Sequence, residues 1–121
     1  MSLDTTFHLD EHEPDERTTV IAVVGEIHVS TAPEFSRRLN DAVGRGKTGV
    51  VLDLRDVSFI DSTGLSVLLN GLRRVTRRNG RMALVCTNPT VLRLFQITRL
   101  DTTFNIQPDL DSALAGVQPA A

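Results

Sequence analysis

The sequence predicts an α/β fold: one domain with a mixed central β-sheet of about four to five strands and about four helices. Three observations lead to this prediction. The chain has 121 residues, enough for one domain and too few for a second. Short apolar runs alternate with segments whose apolar residues recur at helical spacing. The run at 49–54 is apolar on both faces except at Asp53, as expected for a central strand covered on both sides.

The first two strands are predicted to form an antiparallel start. Apolar and polar residues alternate over 7–10, which indicates a short, half-exposed strand. A polar, acidic turn follows at 11–16, and the apolar run 19–24 supplies the second strand. We expect the whole folded core to span about 7–117, with short flexible termini.

Helix one is predicted over 32–43. Thr31 and Glu34 have the spacing of a capping box at its start, and Gly44 and Gly46 are expected to end it. Its apolar side consists of Phe35, Leu39, Ala42 and Val43.

The middle of the chain reads as a strand, a loop and a second helix. The apolar strand 50–54 runs into a short loop at 55–61, and helix two begins at Ser62 and ends at Asn79–Gly80. The apolar side of helix two consists of Leu65, Leu68, Leu69, Leu72 and Val75.

The last third is predicted to hold two strands and two helices. A strand at 82–86 precedes a short helix that Asn88–Pro89 opens and that runs to about Ile97. Residues 104–106 read as a last strand, and Pro108–Asp109 opens a terminal helix. The order β-β-α-β-α-β-α-β-α implies a mixed sheet with right-handed crossovers.

Composition excludes several classes of function. The net charge of −2 gives no pull toward nucleic acid or an anionic membrane, and no Trp or Tyr is present to stack on bases. No apolar run approaches the ~20 residues of a membrane span, and no signal-peptide pattern opens the chain. The single cysteine, Cys86, is expected to be a small core residue. A soluble cytoplasmic protein fits these features best.

The strand-to-helix junction at Ser62 carries the main functional signal. Serine is a preferred N-cap residue, because its hydroxyl accepts from the free amides of the first helical turn. Gly64 is expected to keep that turn free of bulk, so that a partner can approach closely. Parallel strands place such a junction at the carboxyl edge of the sheet, where sites of open α/β folds tend to lie.

The string FIDSTGL at 59–65, after the VxLDLxxV strand, resembles the phosphoacceptor loop of the STAS-domain anti-sigma factor antagonists. The resemblance extends over about 7–117. It implies that Ser62 is the phosphate acceptor, flanked by Asp61, Thr63 and Gly64.

Two positions depart from the family pattern. Members commonly carry Asp where this chain has His28 and Gly where it has Arg99. We expect His28, with Ser30 and Thr31, to lie in a loop near the acceptor and to contact the partner. Arg99 is expected to affect only a turn.

The resemblance implies a regulatory switch that is not an enzyme and needs no cofactor or metal. The unphosphorylated form is expected to bind an anti-sigma factor that is also a serine kinase, which releases a sigma factor. Phosphorylation of Ser62 is expected to abolish this binding, and a protein phosphatase is expected to remove the phosphate. The protein would be a monomer or weak dimer that contacts neither nucleic acid nor membrane. The alternative is an accessory domain of a lipid or solute transport system that binds an ATPase subunit without phosphate turnover.

Catalysis and metal binding have little support in the residues. Ser62 lacks the G-x-S-x-G elbow, and the histidines show no metal-like spacing. Asp53 and Asp56 alone do not complete a magnesium shell, and we expect them to end the strand and cap the loop. The glycines at 44, 46 and 49 spell G-x-G-x-x-G, but they follow a helix and precede a strand, the reverse of a phosphate-binding loop.

Five arginines form a basic strip on and just after helix two, here called the arginine strip: Arg73, Arg74, Arg77, Arg78 and Arg81. The strip is either a solvated helix face or a contact surface for an acidic partner. Since the chain is net negative and lacks stacking residues, a protein partner outranks DNA.

Overall fold

The computed structural model of the protein describes residues 6–118. Its elements follow the predicted order: β1 (His8–Asp15), β2 (Thr18–Ile27), α1 (Ala32–Gly44), β3 (Gly49–Ile60), α2 (Ser62–Arg77), β4 (Arg81–Val85), α3 (Pro89–Ile97), β5 (Asn105–Gln107) and α4 (Leu110–Val117). The five strands form one sheet in the order β1-β2-β3-β4-β5. Strand β1 is antiparallel to β2, and the other neighbours are parallel, which confirms the predicted mixed sheet.

The sheet lies between two layers of helices. Helices α1, α2 and α3 pack on one face, where Phe35, Leu68 and Phe95 join the alternate residues of the central strands in the main core. Helix α4 covers part of the other face through Ala113 and Val117. Strand β3 therefore has buried residues on both faces, as its double-sided apolar pattern predicted.

Strand β1 is longer than the alternating pattern predicted. The segment 11–15, expected to be a turn, continues the antiparallel pairing with β2, and the turn itself lies at Glu16–Arg17. Its acidic residues suit an edge strand exposed to water, and an irregularity between His12 and Asp15 accommodates Pro14. Glu11 also accepts a 2.6 Å hydrogen bond from the Thr19 hydroxyl, which ties the edge strand to β2.

Strand β3 is also longer than predicted, because the segment 55–60 is extended strand and not a loop. Residues 56–60 pair with Val24–Ile27 of β2, so β2 continues three residues beyond the predicted run 19–24. The apolar run stops at Leu54, yet Val57 and Ile60 are buried at wider spacing. Two register shifts in the pairing, with Gly25 at a φ of 107°, produce this irregular spacing, which local alternation does not predict.

Three helices end in the same way, with a residue in the left-handed conformation just after the cap. Gly46 has φ 89°, Asn79 has φ 59° and Arg99 has φ 60°. The next amide in each case donates back to the helix, as in the 2.8 Å bond from the Leu100 amide to the Phe95 carbonyl. Gly46 of the G-x-G-x-x-G string is thus a helix terminator, consistent with the prediction that α1 stops there.

Arg99 should be replaceable by glycine with a gain in stability. An L-residue at φ 60° is strained, whereas glycine adopts this conformation freely, so we expect Arg99→Gly to stabilise the fold by about 0.5–1 kcal/mol. Thermal unfolding followed by circular dichroism measures this gain. The exposed Arg93, inside α3, supplies the control, since Arg93→Gly should destabilise by about 1 kcal/mol. A lower melting temperature for Arg99→Gly would contradict the prediction.

The remaining elements agree with the sequence to within a few residues. Asn88 caps α3 and Asp109 caps α4, each accepting a backbone hydrogen bond, from the amides of Thr90 and Ser112 respectively. Cys86 is buried, as predicted. No helix among residues 6–118 is long and apolar enough to cross a membrane. Most of the termini that we expected to be flexible, 1–5 and 119–121, lie outside the described residues.

Candidate functional site

The junctions that follow β2 and β3 lie side by side at the carboxyl edge of the sheet. Ile27 pairs with Ile60, the last residues of these two strands. The Asp61 amide then donates a 3.1 Å hydrogen bond to the Ile27 carbonyl. The start of α2 and the loop 28–31 are thereby adjacent, because each follows directly on this last pair.

Asp61, and not Ser62, caps helix α2. The Asp61 carboxylate accepts a 3.0 Å hydrogen bond from the Gly64 amide, and its backbone is extended, as the N-cap position requires. Ser62 is the first helical residue and is exposed. Within residues 6–118 its hydroxyl forms no hydrogen bond. The prediction that Ser62 is the cap is therefore wrong, since the aspartate one residue earlier occupies that position, and the serine hydroxyl is left free toward solvent.

Gly64 has a different role from the one that the sequence suggested. It is buried, and a Cβ there would lie 2.6 Å from Cγ1 of Ile60 and 2.8 Å from Cγ2 of Ile27. The missing side chain lets the first turn of α2 approach the ends of β2 and β3 closely. Gly64 therefore permits internal packing, a role that the sequence pattern did not predict, and its expected contact with a partner stays a prediction.

The loop 28–31 is held by its own polar groups. The Thr31 hydroxyl donates to the Glu26 carbonyl at 2.7 Å and accepts from the His28 amide at 3.0 Å. It makes no capping bond to α1, so the predicted capping box with Glu34 is wrong, because this hydroxyl is already engaged in the loop. Nδ1 of His28 accepts from the Ser30 amide at 3.2 Å. This assigns the ring proton to Nε2, which lies 3.7 Å from a Glu26 carboxylate oxygen.

Exposed apolar side chains flank the junction, a feature that the sequence analysis missed. Val29 in the loop is 70% exposed, and Phe59, three residues before Ser62, is 47% exposed. Phe59 also forms one wall of a groove of about 290 Å³ against α3, where Val91, Leu94 and the 69% exposed Ile97 line the other side. An apolar residue at 59 inside a segment expected to be loop was the available signal.

The Asp53 carboxylate, earlier in β3, is engaged with a neighbouring arginine. Arg55 donates to both carboxylate oxygens of Asp53, at 2.9 and 2.7 Å. Burial raises the pKa of Asp53, but the hydrogen bonds from Arg55 outweigh it, so the pKa lies below its usual value. Asp53 lies within β3 and does not end it, which corrects that expectation. Asp53 and Arg55 therefore form a structural ion pair on the surface of β3.

Comparison with known proteins relates the chain to one family. The STAS domain profile matches residues 11–113. The anti-sigma-B factor antagonist of Listeria monocytogenes is 37% identical over 89 residues, covering 72% of this chain and 76% of the relative. That of Bacillus subtilis is 32% identical over 92 residues, covering 76% of this chain and 84% of the relative.

The structural comparison agrees with the sequence comparison. The crystal structure of an anti-sigma factor antagonist from Mycobacterium paratuberculosis superposes with a TM-score of 0.81 at 30% identity, and the match covers 98% of each chain. A profile match over most of the chain, relatives of this identity and the same fold over nearly the whole length agree. The chain belongs to the STAS domain family.

Proposed function

We propose that this protein is an anti-sigma factor antagonist that works as a binding switch. Its unphosphorylated form binds an anti-sigma factor that is also a serine kinase, and this binding releases a sigma factor. The kinase transfers the γ-phosphoryl group of ATP to the Ser62 hydroxyl, the complex dissociates, and a phosphatase restores the serine. In this proposal the protein acts in the cytoplasm, as a monomer or weak dimer, without a cofactor and without direct nucleic-acid contact.

The main support for this proposal is the free, exposed hydroxyl of Ser62. It is exposed at the first position of α2 and has no hydrogen-bond partner among the described residues. The neighbouring Thr63 is half-buried, so Ser62 is the more accessible acceptor. Asp61 completes the helix cap, and the acceptor can therefore be modified without loss of the cap.

The surroundings of Ser62 suit a protein partner. Val29 and Phe59 are large apolar side chains exposed to water, and residues of this kind form the desolvated centre of protein interfaces. His28 and Ser30 add polar groups on the loop side, where Ser30 is exposed. A partner that covers Val29 and Phe59 also excludes water from Ser62. The loop residues His28, Ser30 and Thr31 therefore stay in the proposed interface with residues 61–64.

Phosphorylation is expected to act on binding and to leave the fold intact. A phosphate adds about −1.5 to −2 charges at pH 7. At the first position of a helix this charge faces the positive end of the helix dipole and is tolerated. In an interface the same charge is buried beside the Asp61 carboxylate, and burial of a charge that the partner does not pair weakens binding.

The cognate kinase and ATP should add one phosphate to the parent protein and none to Ser62→Ala. Intact-mass measurement after incubation reads this as a gain of one phosphate group. The control is Thr63→Val, which removes the neighbouring hydroxyl and should still be phosphorylated. Incorporation into Ser62→Ala at the parental level would overturn the assignment of the acceptor.

His28→Asp should change the affinity for the kinase or the rate of phosphorylation while the melting temperature stays nearly constant. Histidine can be neutral or positive in the cytoplasmic pH range, whereas aspartate is negative and repels phosphoserine more strongly. Binding titration and phosphorylation kinetics measure the effect. His28→Asn, which changes the side chain without adding charge, is the control. Kinetics identical to the parent would show that the loop does not contact the partner.

The transporter alternative that the sequence left open is not proposed. The two curated relatives and the crystal structure reported above are all named as anti-sigma factor antagonists.

A further inference from the structure

Positive charge is concentrated in one continuous part of the chain. Residues 62–100 contain seven arginines and no Asp or Glu, whereas the rest of the chain contains six basic and 15 acidic residues. The net charge of −2 hides this separation. The segment forms α2, β4 and α3, so a basic region of the folded protein stands against an acidic remainder.

The two sets of basic residues differ in their ion pairing. Outside the segment, four of the six form ion pairs with carboxylates: Arg38, Arg45, Lys47 and Arg55. Among residues 6–118, no carboxylate lies within ion-pair distance of any of the seven arginines in 62–100. Their charge is therefore available to a ligand.

Two of these arginines meet a third at a cavity on the amino edge of the parallel strands. The cavity has a volume of about 470 Å³ and is lined in part by Arg17, Arg78, Arg81, Thr48 and Gln118. Arg17 lies in the turn after β1, Thr48 precedes β3, and Arg78 and Arg81 flank the short turn between α2 and β4, so three separate segments converge there. Among residues 6–118, no acidic residue lines it.

The backbone holds these three segments in fixed relation. The amides of Thr48 and Gly49 donate to the Arg17 carbonyl at 2.9 and 3.0 Å, and the Arg81 amide donates to the Thr48 carbonyl at 2.7 Å. A guanidinium nitrogen of Arg78 donates to the Val43 carbonyl at 3.2 Å, which orients that side chain. Asp15, nearby in the chain, accepts from the Arg17 amide and from Gln118, and does not neutralise the Arg17 guanidinium.

Helix stabilisation explains only part of this arrangement. Arginines in the last turn of α2, Arg74 and Arg77, offset the negative end of the helix dipole. Arg17 and Arg81 are on a turn and a strand, so the dipole of α2 does not account for their position. Their convergence with Arg78 around a concave surface is a separate feature.

We propose that this cavity binds a small molecule carrying two linked phosphate groups. A guanidinium offers a planar pair of donors that matches phosphate oxygens. Among the described residues no carboxylate lies within ion-pair distance of these three guanidinium groups, so together they suit more than one phosphate. The volume lies within the range of small-ligand sites. No aromatic side chain of the described part of the chain lines the cavity, so a stacked nucleobase has no platform there, and the phosphates are the recognised part. The site lies at the opposite edge of the sheet from Ser62 and does not depend on the switch function.

Calorimetric titration with inorganic pyrophosphate at low ionic strength tests the proposal. We expect saturable binding of one pyrophosphate per protein, at least about tenfold tighter than that of inorganic phosphate. Arg17→Gln and Arg81→Gln should each weaken binding by about tenfold. Arg81→Lys keeps the charge but loses the planar pair of guanidinium donors, and it should also weaken binding. The matched control Arg73→Gln removes the same charge from the exposed side of α2 and should change the affinity by less than about twofold.

The outcomes distinguish a defined pyrophosphate site from non-specific electrostatic attraction of the anion to the basic surface. Exposed arginines are removed with little effect on folding, and circular dichroism of each variant verifies this. In a nuclear magnetic resonance titration, the amide shifts should concentrate at Arg17, Thr48, Gly80 and Arg81. The proposal is overturned if binding does not saturate, or if phosphate and pyrophosphate bind alike. It is equally overturned if Arg73→Gln weakens binding as much as Arg81→Gln, or if the shifts gather around Ser62.

Discussion

Ser62→Asp is expected to weaken binding to the anti-sigma factor kinase by about 30- to 5,000-fold while the protein stays folded. The substitution places a permanent negative charge at the first position of α2, beside the capping Asp61. An interface that covers Val29 and Phe59 buries this charge, and burial of an unpaired charge costs about 2–5 kcal/mol. In the free protein the same charge faces the amino end of a helix and is well accommodated.

Titration calorimetry with the purified kinase measures this loss of affinity. The matched control is Asn70→Asp, which adds the same charge on the exposed side of α2 two turns further on and should bind like the parent. Ser62→Ala should also bind like the parent. If Ser62→Asp bound the kinase as tightly as the parent, charge burial would not be the switch mechanism.

The stability of the same variants tests the assignment of the cap. The Asp61 carboxylate, and not Ser62, accepts the capping hydrogen bond from the Gly64 amide. Ser62→Ala should therefore change the free energy of unfolding by no more than about 0.5 kcal/mol. If Ser62 were the cap, the same substitution would lower the free energy of unfolding by about 1 kcal/mol.

Gly64→Ala is expected to destabilise the fold by about 1–3 kcal/mol, or roughly 5–15 °C in melting temperature. The new methyl group would lie 2.6 Å from Ile60 and 2.8 Å from Ile27, closer than carbon atoms approach without strain. Both isoleucines are buried where the strands end, so relief requires α2 to move away from the sheet. The gain in helix propensity from alanine, about 1 kcal/mol, opposes the clash but does not cancel it.

Thermal and denaturant unfolding of Gly64→Ala measure this effect against a matched glycine. Gly44, at the end of α1, has no atom within 4 Å of the position that a Cβ would take, and Gly44→Ala should be neutral or stabilising. A Gly64→Ala variant as stable as the parent, with weakened kinase binding, would favour the partner-contact role that the sequence suggested.

The sequence by itself determined the order of elements, the mixed sheet and the junction at 61–64. Strand β3 is recognisable because Val50, Val51 and Leu52 are apolar on both faces, and α2 because its leucines recur at helical spacing. These are local patterns with periods of two and 3.6, and they need no knowledge of the partner elements. The Ser62 junction was recognisable from the string FIDSTGL alone.

The extents of β1 and β3 were decided only by the tertiary structure. Residues 56–60 contain polar side chains and no regular alternation, yet they are strand because β2 supplies their hydrogen bonds across two irregular positions. The partner residues in β2 lie about thirty positions earlier in the chain, so the sequence around 56–60 carries no local pattern that shows where the pairing ends. The same holds for 11–15, whose acidic residues read as a turn but pair with β2.

The roles within the junction were also decided by packing. Ser62 and Asp61 are both good cap residues. The Asp61 amide continues the pairing with the end of β2, so Asp61 stays extended and becomes the cap, and the serine hydroxyl is left free. Gly64 and Thr31 changed roles for a similar reason: each meets groups from the end of β2, Ile27 in one case and the Glu26 carbonyl in the other. The sequence specifies which residues reach the edge of the sheet, but contacts between distant segments determine which atoms are engaged there and which remain free for a partner.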